Sequence, residues 1–275
     1  MSYQIIADSC CDVTPQLKER LGLTTIPLLL CLGDEEYTDD ENLDLSDFMR
    51  RMKQCKDKIG SASPNSDVYR KAFVNAGDSF AITISSELSG SFMSANIAKG
   101  LAADEGATAH VFDSRSASAG ELLLAIKLRK LIDRGLPKAD IVDKMEHEIL
   151  DMRTFFMLEN LNNLVKNGRM NIIQEKICSA LNIRPLFCAE QGKIAFHSTS
   201  RGDKELISKF AKYIAESEKD TCGENLVITH CENLPFAQKL QNMLEEKFHF
   251  SEILITSTRG LSSLYASEKG VIIAF

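Results

Sequence analysis

Residues Phe80-Ala81-Ile82-Thr83-Ile84 form an apolar, β-branched run that predicts a buried strand. The stretch after this run constrains the chain more than any other. Ser85-Ser86-Glu87-Leu88-Ser89-Gly90-Ser91 is a hydroxyl-rich loop with one glycine, and from about Phe92 the residues favour a helix. A strand that ends in such a loop and turns into a helix converges three things on one point. These are unpaired helical N–H groups, the positive end of the helix dipole and serine hydroxyls. Gly90 permits close backbone approach. Two readings fit: a receptor for a carboxylate or phosphate, and a helix N-cap with spare serines.

The same punctuation recurs. Tyr3 to Ala7 predicts a strand that runs into Asp8-Ser9-Cys10-Cys11-Asp12, and Thr14-Pro15 then opens a helix to about Leu21. Thr108 to Asp113 predicts a strand ending in Ser114-Arg115-Ser116-Ala117-Ser118-Ala119-Gly120, and an apolar helix continues from Glu121 to about Arg134. Thr24 to Leu32 reads as one more strand, interrupted by Pro27. Helices are expected over Ser46 to Lys56, Asp67 to Ala76 and Pro137 to Leu150. This alternation predicts an α/β domain over 1–150, with a parallel, helix-covered sheet and Ser/Gly loops at the strand ends. Open parallel sheets place their sites at the carboxyl ends of strands, so Asp8, Ser9 and Asp12 fall there too. The two carboxylates read either as metal or phosphotransfer groups or as loop-ordering groups bonded to backbone N–H, and the second is preferred. Glu35 to Asp40 reads as a solvated acidic loop. Gly60 to Ser66 is another loop full of hydroxyls.

Beyond residue 150 the pattern changes. Thr154 to Leu158 reads as a strand, and Leu158 to Arg169 contains a short helix capped at Gly168. Arg169, after the cap, is placed to meet an anion or to form a surface ion pair. Ile172 to Leu181 predicts a helix. Ile183 to Cys188 and Lys193 to His197 predict a hairpin turning at Gln191-Gly192. Arg201 leads into a helix to about Glu216. Strands come next at Asn225 to His230, Ser251 to Thr256 and Val271 to Phe275, with a helix from Leu234 to Lys247. The expectation for 151–275 is a second, mixed α/β domain with some antiparallel pairing.

Composition narrows the function. The 275 residues carry a formal net charge of −7, which argues against a broad nucleic-acid or anionic-membrane surface. Ile26 to Leu32 is the longest apolar run and is too short to span a bilayer. The amino terminus shows no signal-peptide pattern, so a soluble, cytoplasmic protein is expected. The eight cysteines include no C-x-x-C pair and read as reduced, buried thiols. The five histidines lack metal-site spacing, and nucleophile-elbow and nucleotide-binding glycine patterns are absent. No metal and no cofactor is therefore expected. Hydroxyls and N–H groups at strand ends grip an anion without activating water or a nucleophile, which favours a binding module over an enzyme.

Several segments, in order along essentially the whole chain, resemble the DegV family. These bacterial fatty-acid-binding proteins serve as acyl-carrying subunits of fatty acid kinase. Asp8-Ser9 to Asp12, Ile26-Pro27-Leu28 and Glu36-Tyr37-Thr38-Asp39 match its early landmarks. Ser85 to Ala95 is similar to S-S-x-L-S-G-T-Y-x-S-A, its most specific motif. Asp113-Ser114 with Ser118-Ala119-Gly120 comes next, then Leu158 to Arg169, then Leu181 to Leu186 with Gly192-Lys193-Ile194 and Arg201.

The resemblance implies a two-domain α/β fold with a long-chain fatty acid between the domains. The tail would lie in an apolar tunnel and the carboxylate near the Ser/Gly loop. It implies that Ser61, Ser89, Gly90 and Ser91 contact the carboxylate. Arg169 and Arg201 would stand near the pocket mouth, for the head group or for the kinase partner. It implies no reaction by this subunit, which presents the acyl carboxylate to a separate ATP-dependent catalytic subunit. Three positions depart from the pattern. Tyr265-Ala266-Ser267-Glu268-Lys269-Gly270 stands where the family often has H-T-G-P-G-A, leaving Tyr265 or Ser267 to replace a histidine. Ala62 replaces a serine, and Ser91 a threonine. The alternative is an enzyme acting on a small phosphorylated metabolite through the same anion loops.

Overall fold

The computed structural model describes residues 3–171 and 183–275. The helix expected over Ile172 to Leu181 lies outside the described residues, as do Cys178 and the Leu181-Asn182 start of one motif. Four parallel strands, β1 (Gln4–Asp8), β2 (Leu23–Ile26), β6 (Asp78–Thr83) and β7 (Thr108–Asp113), form a sheet in the order β2-β1-β6-β7. Side chains alternate across it, as a period of two requires. Ile6 and Ala81 pack against α3 (Ser66–Ala76) and α4 (Ser91–Asp104), while Ile5, Ala7, Phe80 and Ile82 face α1 (Pro15–Leu21) and α5 (Ala119–Asp133). Thr14 caps α1 by accepting from the Leu17 N–H at 3.2 Å, with Pro15 in the first helical position as read from sequence.

A second, six-stranded sheet has the order β10-β9-β8-β13-β11-β12. Its strands are β8 (Thr154–Met157), β9 (Arg184–Glu190), β10 (Lys193–Ser200), β11 (Asn225–His230), β12 (Glu252–Ser257) and β13 (Val271–Ala274). Only β11 and β12 run parallel, and β9 and β10 form the expected hairpin. The chain's last strand, β13, is central and antiparallel to both β8 and β11. Helices α8 (Gly202–Glu216) and α9 (Leu234–Lys247) cover one face through Phe210, Ile214, Leu240 and Leu244. The fold is thus α/β, with a parallel sheet and mixed sheets.

Helix α5 belongs to both sheets. Every residue from Ala119 to Leu128 is buried, and its core partners include Ile5 and Phe80 of one sheet and Val227 and Ala274 of the other. A helix apolar all round has to be enclosed, and this one is. Its one buried cation, Lys127, is paired with Glu148 of α6 (Lys138–Asp151) and with Glu224, 2.7 Å away.

Two expectations are corrected. The strand read across Thr24 to Leu32 is two strands in different sheets. Pro27 has no N–H to donate, and the Leu28 N–H leaves the ladder to bond the Ser9 hydroxyl at 3.1 Å. Beyond that break, β3 (Leu29–Leu32) pairs antiparallel with β4 (Glu35–Thr38) and β5 (Ile59–Ala62) in a small third sheet. The stretch read as a solvated acidic loop is therefore mostly strand β4. Its Asp39 is only 2% exposed.

Candidate functional site

The carboxyl ends of β1, β6 and β7 lie side by side, and the loops that leave them are tied together by buried polar bonds. Asp8 accepts the Cys10 N–H at 3.1 Å with one oxygen and the Ile84 N–H at 3.0 Å with the other. Asp12 accepts the Arg259 N–H and the Ser118 hydroxyl, each at 2.5 Å. Both carboxylates are fully buried, and burial pushes Asp8 up to about 6 and Asp12 up to about 7. These bonds are those of the loop-ordering reading. Four cysteines, Cys10, Cys11, Cys188 and Cys231, are buried, and all seven among the described residues are free thiols.

The Ser85–Ser91 loop is fastened from three sides. Asp113 accepts the Ser86 N–H at 3.1 Å, and the Ser85 hydroxyl donates to the Gly192 carbonyl at 2.7 Å, at the tip of the β9–β10 hairpin. Gly192 has φ +82°, and a Cβ there would stand 2.6 Å from the Ser85 oxygen, so only glycine fits this turn. Arg169 reaches across from the other side and donates from Nε to the Leu88 carbonyl at 3.0 Å. It is held by α7 (Asn162–Lys166), which ends at Gly168 with φ +72° as the cap pattern predicts. Arg169 also donates to the Asn167 carbonyl, so among the described residues the bonds of its guanidinium go to backbone oxygens.

Below this loop, between the strand ends, the mixed sheet and α10 (Gly260–Ala266), lies about 750 Å³ of space, part of it open to solvent. Its wall is mainly apolar: Ile84, Leu88, Phe156, Leu158, Leu164, Ile194, Leu261 and Ile272. Tyr265, Arg169, Arg115 and Lys193 bring polar groups to its edges. A groove lined by Ser89, Gly90, Met93 and Gly168 adjoins it, and Leu88 and Arg169 border both spaces.

A family model described as "Uncharacterised protein, DegV family" matches residues 2–274. The chain belongs to the DegV family. It is 34% identical to a DegV domain-containing protein of Streptococcus gordonii, over 100% of this chain and 99% of that one. Among solved structures it is similar to a DegV-family protein from Ruminococcus gnavus refined with vaccenic acid. That match has a TM-score of 0.93 and 32% identity, over 100% of both chains. It is equally similar to the Streptococcus pneumoniae fatty acid kinase (Fak) B3 protein loaded with linoleic acid. There the TM-score is 0.93 and the identity 32%, over 100% of this chain and 99% of that one.

In this DegV chain the residues singled out from sequence gather unevenly. The Ser61 hydroxyl bonds the Tyr265 hydroxyl at 2.9 Å, joining β5 to α10 at the cavity wall. Ser89 and Gly90 line the adjoining groove. Ser91 is fully buried, with its hydroxyl 3.1 Å from that of Ser89, so it faces the loop's interior. Gly90 has φ −74°, and what requires glycine there is closeness: a Cβ would stand 2.9 Å from the Ser63 hydroxyl. Arg201 is exposed at the start of α8, where its N–H donates to Glu205 at 2.6 Å, and it lines neither space.

Four further residues contribute that the sequence pattern does not single out as site residues. Ser63 places its hydroxyl over Gly90. Asn163 and Asn167 donate to the carbonyls of Leu264 and Ile59, at 2.8 and 2.9 Å, and so lock α7 to α10 and β5. Asp39 holds the start of α10 by accepting the Gly260 and Leu261 N–H groups, both at 2.9 Å. Only the first had a local signal, as a hydroxyl within an evident loop.

Proposed function

We propose that this protein binds a long-chain fatty acid and presents its carboxylate to a separate fatty acid kinase. The tail lies in the apolar space between the strand ends and the mixed sheet. The carboxylate sits where that space meets the groove, among Ser61, Ser89, Gly90, Tyr265 and Arg169. The observation that carries this reading is the wall itself. It is apolar for most of its extent and edged by hydroxyls and by an arginine with no acidic partner among the described residues. A tail gains roughly 0.8 kcal/mol for each buried CH₂. A desolvated carboxylate needs several donors at once, which the serine loops supply. The fatty acids held by the Ruminococcus and pneumococcal relatives support the same assignment. In this reading the protein is a non-catalytic cytoplasmic carrier, and the phosphoryl transfer belongs to the kinase subunit.

The test is mass spectrometry of an organic extract of the purified, folded protein. One equivalent of a long-chain fatty acid is expected. An extract still empty after incubation with oleate would overturn the reading in favour of an enzyme on a phosphorylated metabolite. Ser89→Ala removes a hydroxyl donor to the carboxylate. It should weaken binding in a fluorescent fatty acid titration by roughly 1.5–3 kcal/mol, about 10- to 100-fold. Unchanged affinity would remove Ser89 from the head-group site.

A further inference from the structure

Beneath the Ser85–Ser91 loop, in the first turn of α5, lies a carboxyl group for which the lipid-binding reading has no use. Glu121 is fully buried, and no backbone N–H or hydroxyl among the described residues donates to either of its carboxyl oxygens; the polar groups beside it are the Asp8 carboxyl and the Cys10 thiol. One of its oxygens, an oxygen of Asp8 and the Cys10 sulfur all lie within 4.8 Å of one another. The titratable groups that interact with it are Asp8 from β1, Cys10, Cys11 and Asp12 from the turn after it, and Tyr69 from α3. All are acids, thiols or a phenol, and none is a cation. Two carboxylates this close and this dry cannot both be ionised.

We infer that Glu121 is kept as a neutral carboxylic acid that donates its proton to Asp8. The bonds of the two residues assign the proton. Both Asp8 oxygens already accept backbone N–H groups, from Cys10 and Ile84, and so favour the charged form on Asp8. Glu121 has no backbone donors, only the weak Cys10 thiol beside it, and a proton is what its oxygens lack. The positive end of α5 would favour an ionised Glu121, but a helix terminus is the weaker influence against complete burial beside another carboxylate. Burial and the Asp8 charge accordingly push Glu121 well above the usual carboxylate range.

In this arrangement Glu121 is a positioning residue. It supports the Asp8 carboxylate that joins the end of β1 to Ile84, one residue before the loop begins. The inference stands on this buried geometry alone and does not depend on what occupies the cavity.

It predicts a sign. A carboxyl whose folded pKa is raised contributes stability that is full below its unfolded pKa and is lost as pH rises through the folded value. Glu121→Gln keeps the shape, supplies an N–H to Asp8 and cannot titrate. The melting temperature of wild type relative to Glu121→Gln should therefore fall as pH is raised from the ordinary glutamate range into and through neutrality. The infrared difference spectrum, wild type minus Glu121→Gln at neutral pH, should carry the carbonyl stretch of a neutral carboxylic acid in addition to the band that half-protonated Asp12 gives in both proteins. Should the variant not fold, wild type labelled with ¹³C at the glutamate carboxyls decides alone. One glutamate carbon is expected to keep the shift of a neutral acid at neutral pH. Full ionisation of every glutamate, a pH-independent gap between the two proteins, or a stoichiometric metal ion in wild type by elemental analysis would each overturn the inference.

Discussion

Ala117→Trp should abolish tight fatty acid binding while leaving the protein folded. Ala117 lines the cavity from the loop after β7, and it packs only partly buried against the core cluster around Ile84 and Phe156. An indole there occupies space that the acyl tail would fill. Excluding even four methylenes forfeits about 3 kcal/mol, on the order of a hundredfold in affinity. The side chain enters existing space, so its overpacking cost should remain at the low end of about 1–3 kcal/mol. The pair of measurements is a fatty acid titration and a thermal melt. Wild-type affinity with a wild-type melt would show that the tail lies elsewhere. A lost affinity accompanied by a collapsed melt would call for a smaller plug, Ala117→Leu, before the tail is assigned.

Asp39→Ala should destabilise the protein more than the loss of an ordinary surface carboxylate. The Asp39 carboxylate is buried and accepts the first two N–H groups of α10, from a position more than two hundred residues away in the chain. Its removal orphans both donors and leaves a gap between the small antiparallel sheet and α10. Charge-assisted bonds of this kind contribute roughly 1.5–3 kcal/mol each. Relief of a carboxylate that burial already pushes above its usual range offsets part of this. The net expectation is on the order of 3 kcal/mol, or about 5 °C in melting temperature for a chain of this size. Fatty acid affinity should fall as well, because Leu261, Tyr265 and Ala266 line the cavity from α10. Asp39→Asn keeps one acceptor and should fall between the two. An unchanged melt by circular dichroism would mean that α10 is held by its other contacts.

The parts of this molecule that could be read from sequence are those whose causes are local. Apolar β-branched runs that end in Ser/Gly loops marked β6 into α4 and β7 into α5, with bounds close to those observed. Thr14-Pro15 and Gly168 marked a helix start and a helix end by side-chain chemistry within a few residues. The rest depends on partners distant in the chain. Asp39 sits in a run of acids that looks solvated until α10 is placed against it. Helix α10 carries no cap of its own and went unread, because its cap is Asp39. The hydroxyl of Ser91 is indistinguishable from that of Ser89 in sequence, yet burial turns one inward and leaves the other at the groove. Arg201 shares a motif with residues near the cavity, but the start of α8 carries it to the exposed surface.

Helix α5 has a consequence for how the chain comes apart. One of its sides completes the parallel sheet, and the opposite side completes the six-stranded one. Neither half therefore owns a whole interior. A fragment stopped near residue 150 would bare the strip of α5 that Val227 and Ala274 normally cover, and such a strip drives self-association. The two halves, despite their separate sheets, should melt in a single cooperative step, with amide protons in α5 among the last to exchange.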